Sequence, residues 1–424
     1  MRNVSILIAS LLLSFPTAAE SPSPLRASVA PAQATTVAVD CDQGKTIAKA
    51  LEKAGDELVV EIRGTCHEDL VIRRDNVALV GAGEDPTLAG SLFFEGASGV
   101  LLEGFTIRDS ARWGVRGHGA QLVVRDVLVR DNAGSGITIL EGSTAILEEV
   151  TAERNFDGIT AWVGSAVELV GEVRANENRR CGMIVSSGSG LEATGTGALL
   201  GDRLVAEDNA FCGLAVQVAA GAQFGEVIAR RNGLVGVALF AGTLLGGRIE
   251  ASDSELGVWL SETSTLEAAV IAHDNSFAGI LAEIGSTLAL VRLPGPEGSS
   301  VTDNGDFGVL LDESHGNLSL VDVRRNGTGM SLDGSSVRVN RVTLLDNGLD
   351  AGLSFGSRAS FDGGNQAGSV SCDSTVLTRG DVSCPSAASS SLRTGRSAPL
   401  SRPRPELPAF PLEMEDPQLP AGQR

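Results

Sequence analysis

The chain has 424 residues, of which 53 are acidic and 33 are basic, so its formal net charge at pH 7 is −20. Nucleic-acid binding depends on basic surfaces that displace counterions from phosphate, and this charge therefore argues against it. Hydrophobic residues make up 42% of the chain, enough for a sizeable core, whereas aromatic residues make up only 4%. Length alone does not give the number of domains, because a repeated sequence would build one elongated unit.

The N-terminus has the pattern of a secretory signal peptide over residues 1–19. Arg2 supplies a positive charge, an apolar stretch covers residues 4–15, and small residues at positions 17–19 offer a cleavage site. An uncleaved membrane anchor is the alternative interpretation. No later segment approaches about 20 uninterrupted apolar residues, so no integral membrane segment is expected in the mature protein. A Pro/Ala/Ser-rich linker is predicted over residues 20–36.

A repeat follows, marked by a short polar turn, an Asn or Ser, and then a Gly with an aliphatic residue. Successive marks are 21 to 23 residues apart, except for two longer intervals that require loop insertions around residues 190–200 and 290–298. The marks are Ser110, Asn132, Asn155, Asn178, Asn209, Asn232, Ser254, Asn275, Asn304, Asn326 and Asn347. Such regular spacing predicts one repeated structural unit per interval.

Apolar residues alternate with polar or small residues inside each unit, which indicates strands with one buried face. After the Gly of the unit, the first and third positions are apolar, as in Val237 and Leu239 or Val309 and Leu311. About 22 residues per unit is too short for a propeller blade. The sequence therefore predicts an all-β, single-stranded, right-handed parallel β-helix over residues 37–384, with about three short strands per rung.

The polar marks have a structural explanation. Asn side chains stacked at the spacing of paired strands, about 4.8 Å, can hydrogen-bond from rung to rung and to the backbone of the turns. An acidic column one residue before the marks, interrupted by Arg154, Arg231 and Arg325, is interpreted as charge balancing along the stack.

The repeated units, together with the opening segment Val59–Gly83, resemble the pectate-lyase-like superfamily of right-handed parallel β-helix proteins over roughly residues 41–384. This resemblance implies a fold but no activity, because the superfamily contains lyases, hydrolases, epimerases, adhesins and non-catalytic proteins. Residues Thr46–Ala54 have helical spacing and good helix formers. By the resemblance, this short helix caps the N-terminal end of the core.

The six cysteines form three plausible local pairs, which fits an oxidising compartment and a secreted, extracellular or periplasmic protein. One pair brackets the predicted helix, one pair occupies equivalent positions in adjacent rungs, and one pair closes the C-terminal end. A metal site is the alternative, although zinc-like spacing and histidine partners are missing. The predicted disulfides are Cys41–Cys66, Cys181–Cys212 and Cys372–Cys384.

Catalytic signatures of the superfamily are not matched. Gly117-His118-Gly119 is one element of the polygalacturonase pattern, but Arg248-Ile249-Glu250 departs from its basic motif and no Asp-Asp pair occurs. The Gly-His-Gly segment is more simply interpreted as a turn. No catalytic residue is therefore assigned.

Two outward-facing features remain as candidate sites. Glu283, Asp312 and Asp333 occupy the fourth position after the Gly in successive rungs, where stacked carboxylates would raise one another's pKa or bind Ca²⁺. Glu262, Glu313 and His315 lie close by in sequence, and a solvated acidic turn is the simpler interpretation. The second feature is an exposed apolar patch at the second position after the Gly, formed by Ala238, Trp259, Leu281 and Leu310 and continued by Ala215.

The apolar patch could bind a sugar ring, a partner subunit or the C-terminal tail, or it could be covered by the insertion near residues 290–298. The tail, residues 385–424, is rich in Pro, Ser and Arg and is predicted to be disordered.

Two functions stay open. The first is a non-catalytic envelope or secreted binding protein, with a polysaccharide or a cell-surface component as a candidate ligand. The second is a lyase, glycosidase or epimerase acting on acidic polysaccharide. No cofactor is required by either, and Ca²⁺ is the one candidate ion.

Overall fold

Each repeat unit folds into short strands that pair with the equivalent strands of the units before and after it. A computed structural model describes residues 34–53, 55–186, 189–192, 202–292, 298–382 and residue 384. Its strands form two parallel sheets, one of 28 strands and one of 14, in which non-consecutive strands are neighbours. The predicted all-β solenoid is confirmed.

The 14-stranded sheet takes one strand from each rung. Its strands are β4 (Leu70–Ile72), β7 (Leu92–Glu95), β10 (Val115–His118), β13 (Ile137–Leu140), β16 (Ile159–Ala161), β19 (Cys181–Ser186), β22 (Cys212–Gln217), β25 (Val235–Phe240), β27 (Leu256–Ser261), β29 (Ala278–Glu283), β32 (Phe307–Asp312), β35 (Thr328–Asp333), β38 (Leu349–Ser354) and β41 (Val370–Cys372).

The 28-stranded sheet contains the two remaining ladders. Its strands are β1 (Thr35–Asp40), β2 (Leu58–Arg63), β3 (Thr65–Cys66), β5 (Val77–Gly81), β6 (Thr87–Ala89), β8 (Val100–Glu103), β9 (Thr106–Arg108), β11 (Gln121–Arg125), β12 (Leu128–Arg130), β14 (Thr144–Glu148), β15 (Thr151–Glu153), β17 (Ala166–Val170), β18 (Glu172–Asn176), β20 (Gly190–Glu192), β21 (Arg203–Glu207), β23 (Gly221–Gln223), β24 (Glu226–Arg230), β26 (Thr243–Ser252), β28 (Thr265–His273), β30 (Thr287–Leu290), β31 (Ser299–Thr302), β33 (His315–Ser319), β34 (Val321–Arg324), β36 (Ser336–Asn340), β37 (Thr343–Leu345), β39 (Arg358–Phe361), β40 (Gln366–Ala367) and β42 (Leu377–Gly380).

The strand register follows the sequence repeat. Val237 pairs with Leu214 of the preceding rung and with Val258 of the following rung, at the intervals that the polar marks set. The two ladders of the larger sheet join because β26 and β28 are long enough to belong to both. Within β26 the register shifts between Leu245 and Arg248, where two glycines have positive φ.

Alternate residues of the strands fill a continuous apolar core. Val237, Leu239, Val309 and Leu311, which the alternation predicted to face inward, are fully buried in this core. Each of them lies in a strand whose neighbours carry apolar residues at the same position, so the core is a stack of equivalent layers. The predicted inward face of the strands is therefore confirmed.

The polar marks form the predicted ladder. The side-chain amide of Asn209 donates to Oδ1 of Asn232 at 3.0 Å, and the backbone N–H of Asn209 donates to the same oxygen at 3.1 Å. Equivalent bonds join Asn275 to Asn304 and Asn304 to Asn326. Because these amides are buried, each bond between rungs satisfies groups that would otherwise be costly to remove from water.

The N-terminal cap contains a short α-helix, α1, over Ile47–Leu51, preceded by a 3₁₀ helix over Cys41–Gln43. Ile47 is buried in the solenoid core, as expected for a cap. The helix is shorter than the predicted segment Thr46–Ala54: Thr46 is its N-cap residue and accepts from the backbone N–H of Lys49, and Glu52 is its C-cap residue. Glu68 accepts the next two free N–H groups of the helix, from Ile47 and Ala48.

Several predicted segments lie outside the described residues. They are the signal peptide, most of the linker, most of the two insertions and the tail from residue 385. Strand β1 begins at Thr35, two residues before the predicted start of the β-helix at residue 37. Among the described residues, no helix is both long and apolar enough to cross a membrane.

Candidate functional site on the outer face of the smaller sheet

The outer face of the 14-stranded sheet carries both candidate features, because successive residues of a strand point to opposite sides of a sheet. In each rung the residues at the second and fourth positions after the Gly lie on this face. From the N-terminal to the C-terminal end of the stack, the residues of the second-position column are Val71, Phe93, Arg116, Thr138, Thr160, Ile184, Ala215, Ala238, Trp259, Leu281, Leu310, Ser331, Gly352 and Ser371.

The N-terminal end of this face is a basic–aromatic patch formed by Phe93, Arg112, Trp113, Arg116 and His118. The guanidinium carbon of Arg116 lies 4.4 Å from the ring centroid of Trp113 and 5.5 Å from that of Phe93. Phe93 makes edge contacts with Trp113 at 6.3 Å and with His118 at 6.4 Å, between ring centroids. Trp113 is buried, with 7% of its surface exposed, and the other four residues are half-buried, so the patch holds cationic groups against aromatic rings that are partly covered.

The Gly-His-Gly segment was interpreted as a turn, but His118 lies on strand β10. The turn begins one residue later, at Gly119, which has positive φ. The Nε2 atom of His118 is 2.5 Å from Oε2 of Glu141, at the edge of the next rung. In the strand before β10, Glu95 pairs with Arg73 at 2.7 Å. Cations and carboxylates therefore alternate along this edge of the patch.

The middle of the outer face is an apolar strip that is buried, so the prediction of an exposed patch is wrong for most of its residues. Ala238 and Leu281 have no exposed surface, Trp259 is 4% exposed, and only Leu310, at the end of the strip, is half-buried. All six residues of each of the strands β19, β22, β25, β27 and β29 are buried. The apolar strip contains Leu140, Trp162, Cys181, Ile184, Cys212, Ala215, Val235, Ala238, Phe240, Leu256, Trp259, Phe277, Ala278, Leu281 and Phe307.

The strip is separate from the solenoid core, so its residues do point away from the interior, as the alternation predicted. Aromatic rings account for much of its bulk. Phe240 packs edge-on against Trp259 with 4.6 Å between ring centroids, and Phe277 packs against Phe307 at 5.6 Å. The alternation of a strand indicates which side a residue faces, but it does not indicate whether that side meets solvent.

The C-terminal end of the outer face is the acidic column formed by Glu283, Asp312 and Asp333. The register pairs Glu283 with Asp312, and Asp312 with Asp333, so the predicted stacking is present. Burial, followed by the charge of Glu313, raises the pKa of Asp312. Burial, followed by the charge of Asp312, raises the pKa of Asp333. Both effects penalise the ionised carboxylates.

Glu283 differs from the other two acids because it belongs to the buried part of the face and is 5% exposed. Its Oε1 atom accepts a hydrogen bond from the indole N–H of Trp259 at 3.1 Å, which joins the acidic column to the apolar strip. His315 lies in strand β33 of the larger sheet and is exposed, so it is not part of the outer face.

Calcium binding by the acidic column stays a prediction. The ligand oxygens of Glu283, Asp312 and Asp333 do not all lie within 4.8 Å of one another. Within the described part of the chain, the one His/Cys/Asp/Glu group that meets this distance is Cys41, Cys66 and Glu68. Its two cysteines are joined in a disulfide, and Glu68 caps helix α1, so that group has a structural explanation.

All three predicted disulfides are present: Cys41–Cys66, Cys181–Cys212 and Cys372–Cys384. Cys181 and Cys212 are register partners in β19 and β22, at equivalent positions on each side of the first insertion. No described cysteine is free. The pairing by rung position is therefore confirmed.

The basic–aromatic patch was not identified from the sequence. Its signal was available, because the second-position column that was read from Ala215 onward also continues upstream. If the second-position column is continued upstream at the spacing of the repeat, it includes Arg116 and then Phe93. The fourth-position column, continued in the same way, includes His118. Trp113 is reached in the same way, because it lies three residues after Ser110 and directly before a Gly, the rung position that Cys181 and Cys212 also occupy.

Comparison with known proteins shows the fold. No model of a known protein family matches the chain, and a search of curated proteins found no match. The chain is similar to the A-module of the Azotobacter vinelandii mannuronan C-5 epimerase AlgE6, with a TM-score of 0.50 and 15% identity, over 79% of this chain and 94% of that one. The similar solved structures are right-handed β-helix proteins.

The periplasmic alginate epimerase AlgG matches with a TM-score of 0.35 and 11% identity, over 81% of this chain and 82% of that one. The Dettilon tailspike protein matches with a TM-score of 0.33 and 11% identity, over 80% of this chain and 68% of that one. The expected right-handed parallel β-helix is confirmed at the level of the fold.

Proposed function

We propose that this protein is a secreted or periplasmic binding protein that holds an anionic polysaccharide at the basic–aromatic patch without cleaving it. The observation that carries the proposal is the arrangement of Arg116 against the rings of Phe93 and Trp113, with His118 beside them. Aromatic rings pack against the apolar faces of sugar rings, and an Arg guanidinium binds carboxylates through two parallel hydrogen bonds.

The compartment is proposed from the cysteines. Three disulfides occur in the described chain, and disulfides persist mainly in secreted and periplasmic proteins, where polysaccharides of the cell envelope are found. The predicted signal peptide at residues 1–19 supports the same location.

The net charge of −20 restricts where an anionic polysaccharide can bind. Most of the surface repels such a ligand, and the acidic column would repel it most strongly because its carboxylates are stacked. The basic–aromatic patch lies at the opposite end of the same face. We therefore expect one binding site, with an affinity that falls as salt screens the attraction.

Binding is tested by calorimetry with uronic acid oligosaccharides, such as oligomannuronate, and with neutral oligosaccharides of equal length. Arg116→Ala should weaken binding of the acidic oligosaccharide about tenfold or more, the equivalent of a hydrogen bond to a charged group. Arg338→Ala is the matched control, because Arg338 is an exposed Arg on the larger sheet, paired with Asp362. Equal weakening by both variants, or no binding by the wild-type chain, contradicts the proposal.

Catalysis is the competing function, and the same mixtures can report it. The samples are followed with and without Ca²⁺ for unsaturated products that absorb ultraviolet light, for new reducing ends, and for epimerised residues by NMR. We expect none of these products. Turnover that disappears in a Glu283→Ala/Asp312→Ala/Asp333→Ala variant would replace the binding function with an enzymatic one at the acidic column.

A further inference from the structure

The apolar strip is buried although no described strand or helix lies over it. Every described strand belongs to one of the two sheets, and α1 is at the N-terminal end of the solenoid. The second-position column is exposed or half-buried at Val71, Phe93 and Arg116, buried from Thr138 to Leu281, and half-buried again at Leu310. A covering segment must therefore extend along about seven rungs, from β13 to β29.

Polar groups within the strip point to the chemistry of this covering segment. Gln217 is fully buried, and neither its amide nitrogen nor its amide oxygen has a hydrogen-bond partner among the described residues. Trp162 is 5% exposed, and its indole N–H also has no hydrogen-bond partner among the described residues. A segment with free backbone carbonyl and N–H groups would satisfy these atoms, and an extended or polyproline II chain has such groups.

The internal insertions are poor candidates for the cover. Residues 193–201 connect β20 to β21, and residues 293–297 connect β30 to β31, and all four strands belong to the larger sheet. The N-terminal residues 20–33 contain no aromatic residue and lead into β1 at one end of the solenoid. The C-terminal segment, by contrast, starts at Cys384, which is tied by its disulfide to Cys372 in the last strand of the smaller sheet.

The sequence of the C-terminal segment matches the outer face in reverse order. Arg402 and Arg404 come first, followed by Glu406, then the mostly apolar run Leu407–Met414, which has Phe410 near its middle and includes Glu413, and then Glu415 and Asp416. The face presents, from its C-terminal end, the acidic column, the apolar strip and the basic–aromatic patch. Prolines at positions 403, 405, 408 and 411 favour polyproline II, a conformation that aromatic-lined grooves bind.

The length of the C-terminal segment also agrees with the length of the outer face that it would cover. Eight rung steps separate the strand of Asp312 from that of Arg116, which at about 4.8 Å per step is about 38 Å. Thirteen residues separate Arg402 from Glu415, which at about 3.1 Å per residue in polyproline II is about 40 Å. One extended segment can therefore reach both charged ends of the face at once.

We propose that residues 402–416 bind along the outer face of the 14-stranded sheet as an intramolecular ligand, antiparallel to the order of the rungs. The arginines contact the acidic column, Leu407–Met414 covers the apolar strip, and the acids contact the basic–aromatic patch. The segment then competes with an anionic polysaccharide for Arg116, and this competition rests on the proposed function, whereas the docking itself does not.

Docking is tested in the full-length chain by replacing Phe410 with the photo-crosslinking residue p-benzoylphenylalanine. Position 410 is eight residues from Arg402, about 25 Å or five rung steps from the strand of Asp312, which places it over β19. Mass spectrometry should therefore find cross-links within the same chain to β16, β19 and β22, which lie between residues 159 and 217. The same replacement at Leu392, which precedes the docked segment, should give no cross-links there. Cross-links between two chains, cross-links to the larger sheet, or no cross-links at position 410 would overturn the proposal.

A second measurement uses Phe410→Ala/Leu412→Ala in the full-length chain, with Leu392→Ala/Leu400→Ala as the matched control. Loss of the cover should shift tryptophan emission to the red, because Trp162 and Trp259 become hydrated, and should increase binding of a hydrophobic dye. The control should leave both signals unchanged, and circular dichroism should show intact strands in both variants. Unchanged emission and dye binding in the Phe410 variant would contradict docking.

The competition is tested with the oligomannuronate titration. The Phe410→Ala/Leu412→Ala variant should bind the oligosaccharide several-fold more tightly than the wild-type chain, and the Leu392→Ala/Leu400→Ala control should not. If no variant binds oligosaccharide while the cross-links are found, the proposed function fails and the docking stands. If the oligosaccharide binds equally to all chains and no cross-links form, the docking fails and the proposed function stands.

Discussion

Asp303 and Asp333 show that the position of an aspartate within the rung decides its electrostatic effect. Asp303 belongs to the column before the polar marks, has a left-handed backbone conformation, and accepts two hydrogen bonds of 2.6 Å from Arg325 of the next rung. Those bonds lower the pKa of Asp303. Asp333 stacks on Asp312 instead, and burial together with that charge raises its pKa. The first acid stabilises the stack at neutral pH, and the second destabilises it.

Replacing Asp333 with Asn should therefore stabilise the protein at pH 7 in a chain that also carries Arg402→Ala/Arg404→Ala, because arginines docked on the acidic column would otherwise offset the repulsion. The substitution removes one charge from a stacked pair and keeps the size of the side chain, so we expect the melting temperature to rise by about 1–3 °C. The measurement is thermal unfolding followed by far-ultraviolet circular dichroism.

The pH dependence of this gain follows from the sign of the shift. The pKa of Asp333 is higher in the folded chain than its ordinary value of 3.8, so the folded state binds the proton more readily than the unfolded state. The ionised carboxylate costs stability above the folded pKa, and this cost disappears as the pH falls through that pKa toward 3.8. The advantage of Asp333→Asn should shrink over the same range. Asp303→Asn is the control and should lower the melting temperature at pH 7. A gain for Asp333→Asn that persists unchanged at pH 3 would contradict the stacked-charge explanation.

At the scale of structural elements, the disulfide Cys181–Cys212 joins β19 and β22 where the interval between polar marks is longest. The two cysteines are 31 residues apart and fully buried, and they belong to the apolar strip rather than to the solenoid core. The Asn178–Asn209 bond of 3.0 Å crosses the same interval. The disulfide and the ladder bond together fix two rungs whose connecting segment is longer than the others.

Cys181→Ala/Cys212→Ala should destabilise the chain by about 3–4 kcal/mol, the cost of releasing a loop of this length. The loss should be local, because each rung of a solenoid contacts only its neighbours. We therefore expect a lower midpoint of urea unfolding and faster protease cleavage between residues 181 and 212. Cys372→Ala/Cys384→Ala, at the end of the stack, is the control and should leave cleavage in that interval unchanged. Identical midpoints and cleavage patterns in wild type and the Cys181 variant would show that the ladder alone holds the two rungs.

At the scale of the whole molecule, the repeat made most of the fold predictable. A solenoid places each residue directly above its equivalent one period earlier, so sequence spacing alone gives the Asn ladder, the Cys181–Cys212 pair and the stacking of Asp312 on Asp333. Contacts that do not follow the period were not predictable. Helix α1 begins at Ile47, where Thr46 and Glu68 from another segment accept its free N–H groups, and it ends at Leu51 with Glu52 as its C-cap residue.

The candidate site was predictable only in part for the same reason. The period gave the direction in which Trp259 and Leu281 point, but it did not give their burial, which we attribute to the proposed docking of residues 402–416. Trp113, which completes the basic–aromatic patch, stands at the rung position that Cys181 and Cys212 occupy, and the residue type at that position changes from rung to rung. Sequence spacing identifies the positions that recur in every rung, whereas a binding site on a solenoid depends on the residues that differ from rung to rung at those positions.

The modular stack makes a further prediction for the whole chain. Deleting residues 305–326 removes one full period and joins Asn304 to Gly327, so that Asn304 stacks on Asn347 and Glu283 pairs with Asp333. Because the lost layer contacts only its two neighbours, the shortened chain should stay soluble and unfold cooperatively, with a melting temperature lowered by a few degrees, about 2–5 °C.

Deleting residues 305–315 is the matched control for that experiment. It removes half a period, so every strand after it would place its apolar residues out of register with the core. Circular dichroism and size-exclusion chromatography should show an intact β-solenoid for the full-period deletion and a destabilised or aggregated chain for the half-period deletion. If both deletions were tolerated equally, or if both abolished folding, the register of the repeat would not be what holds the molecule together, and long-range contacts such as the C-terminal cover would have to carry that role.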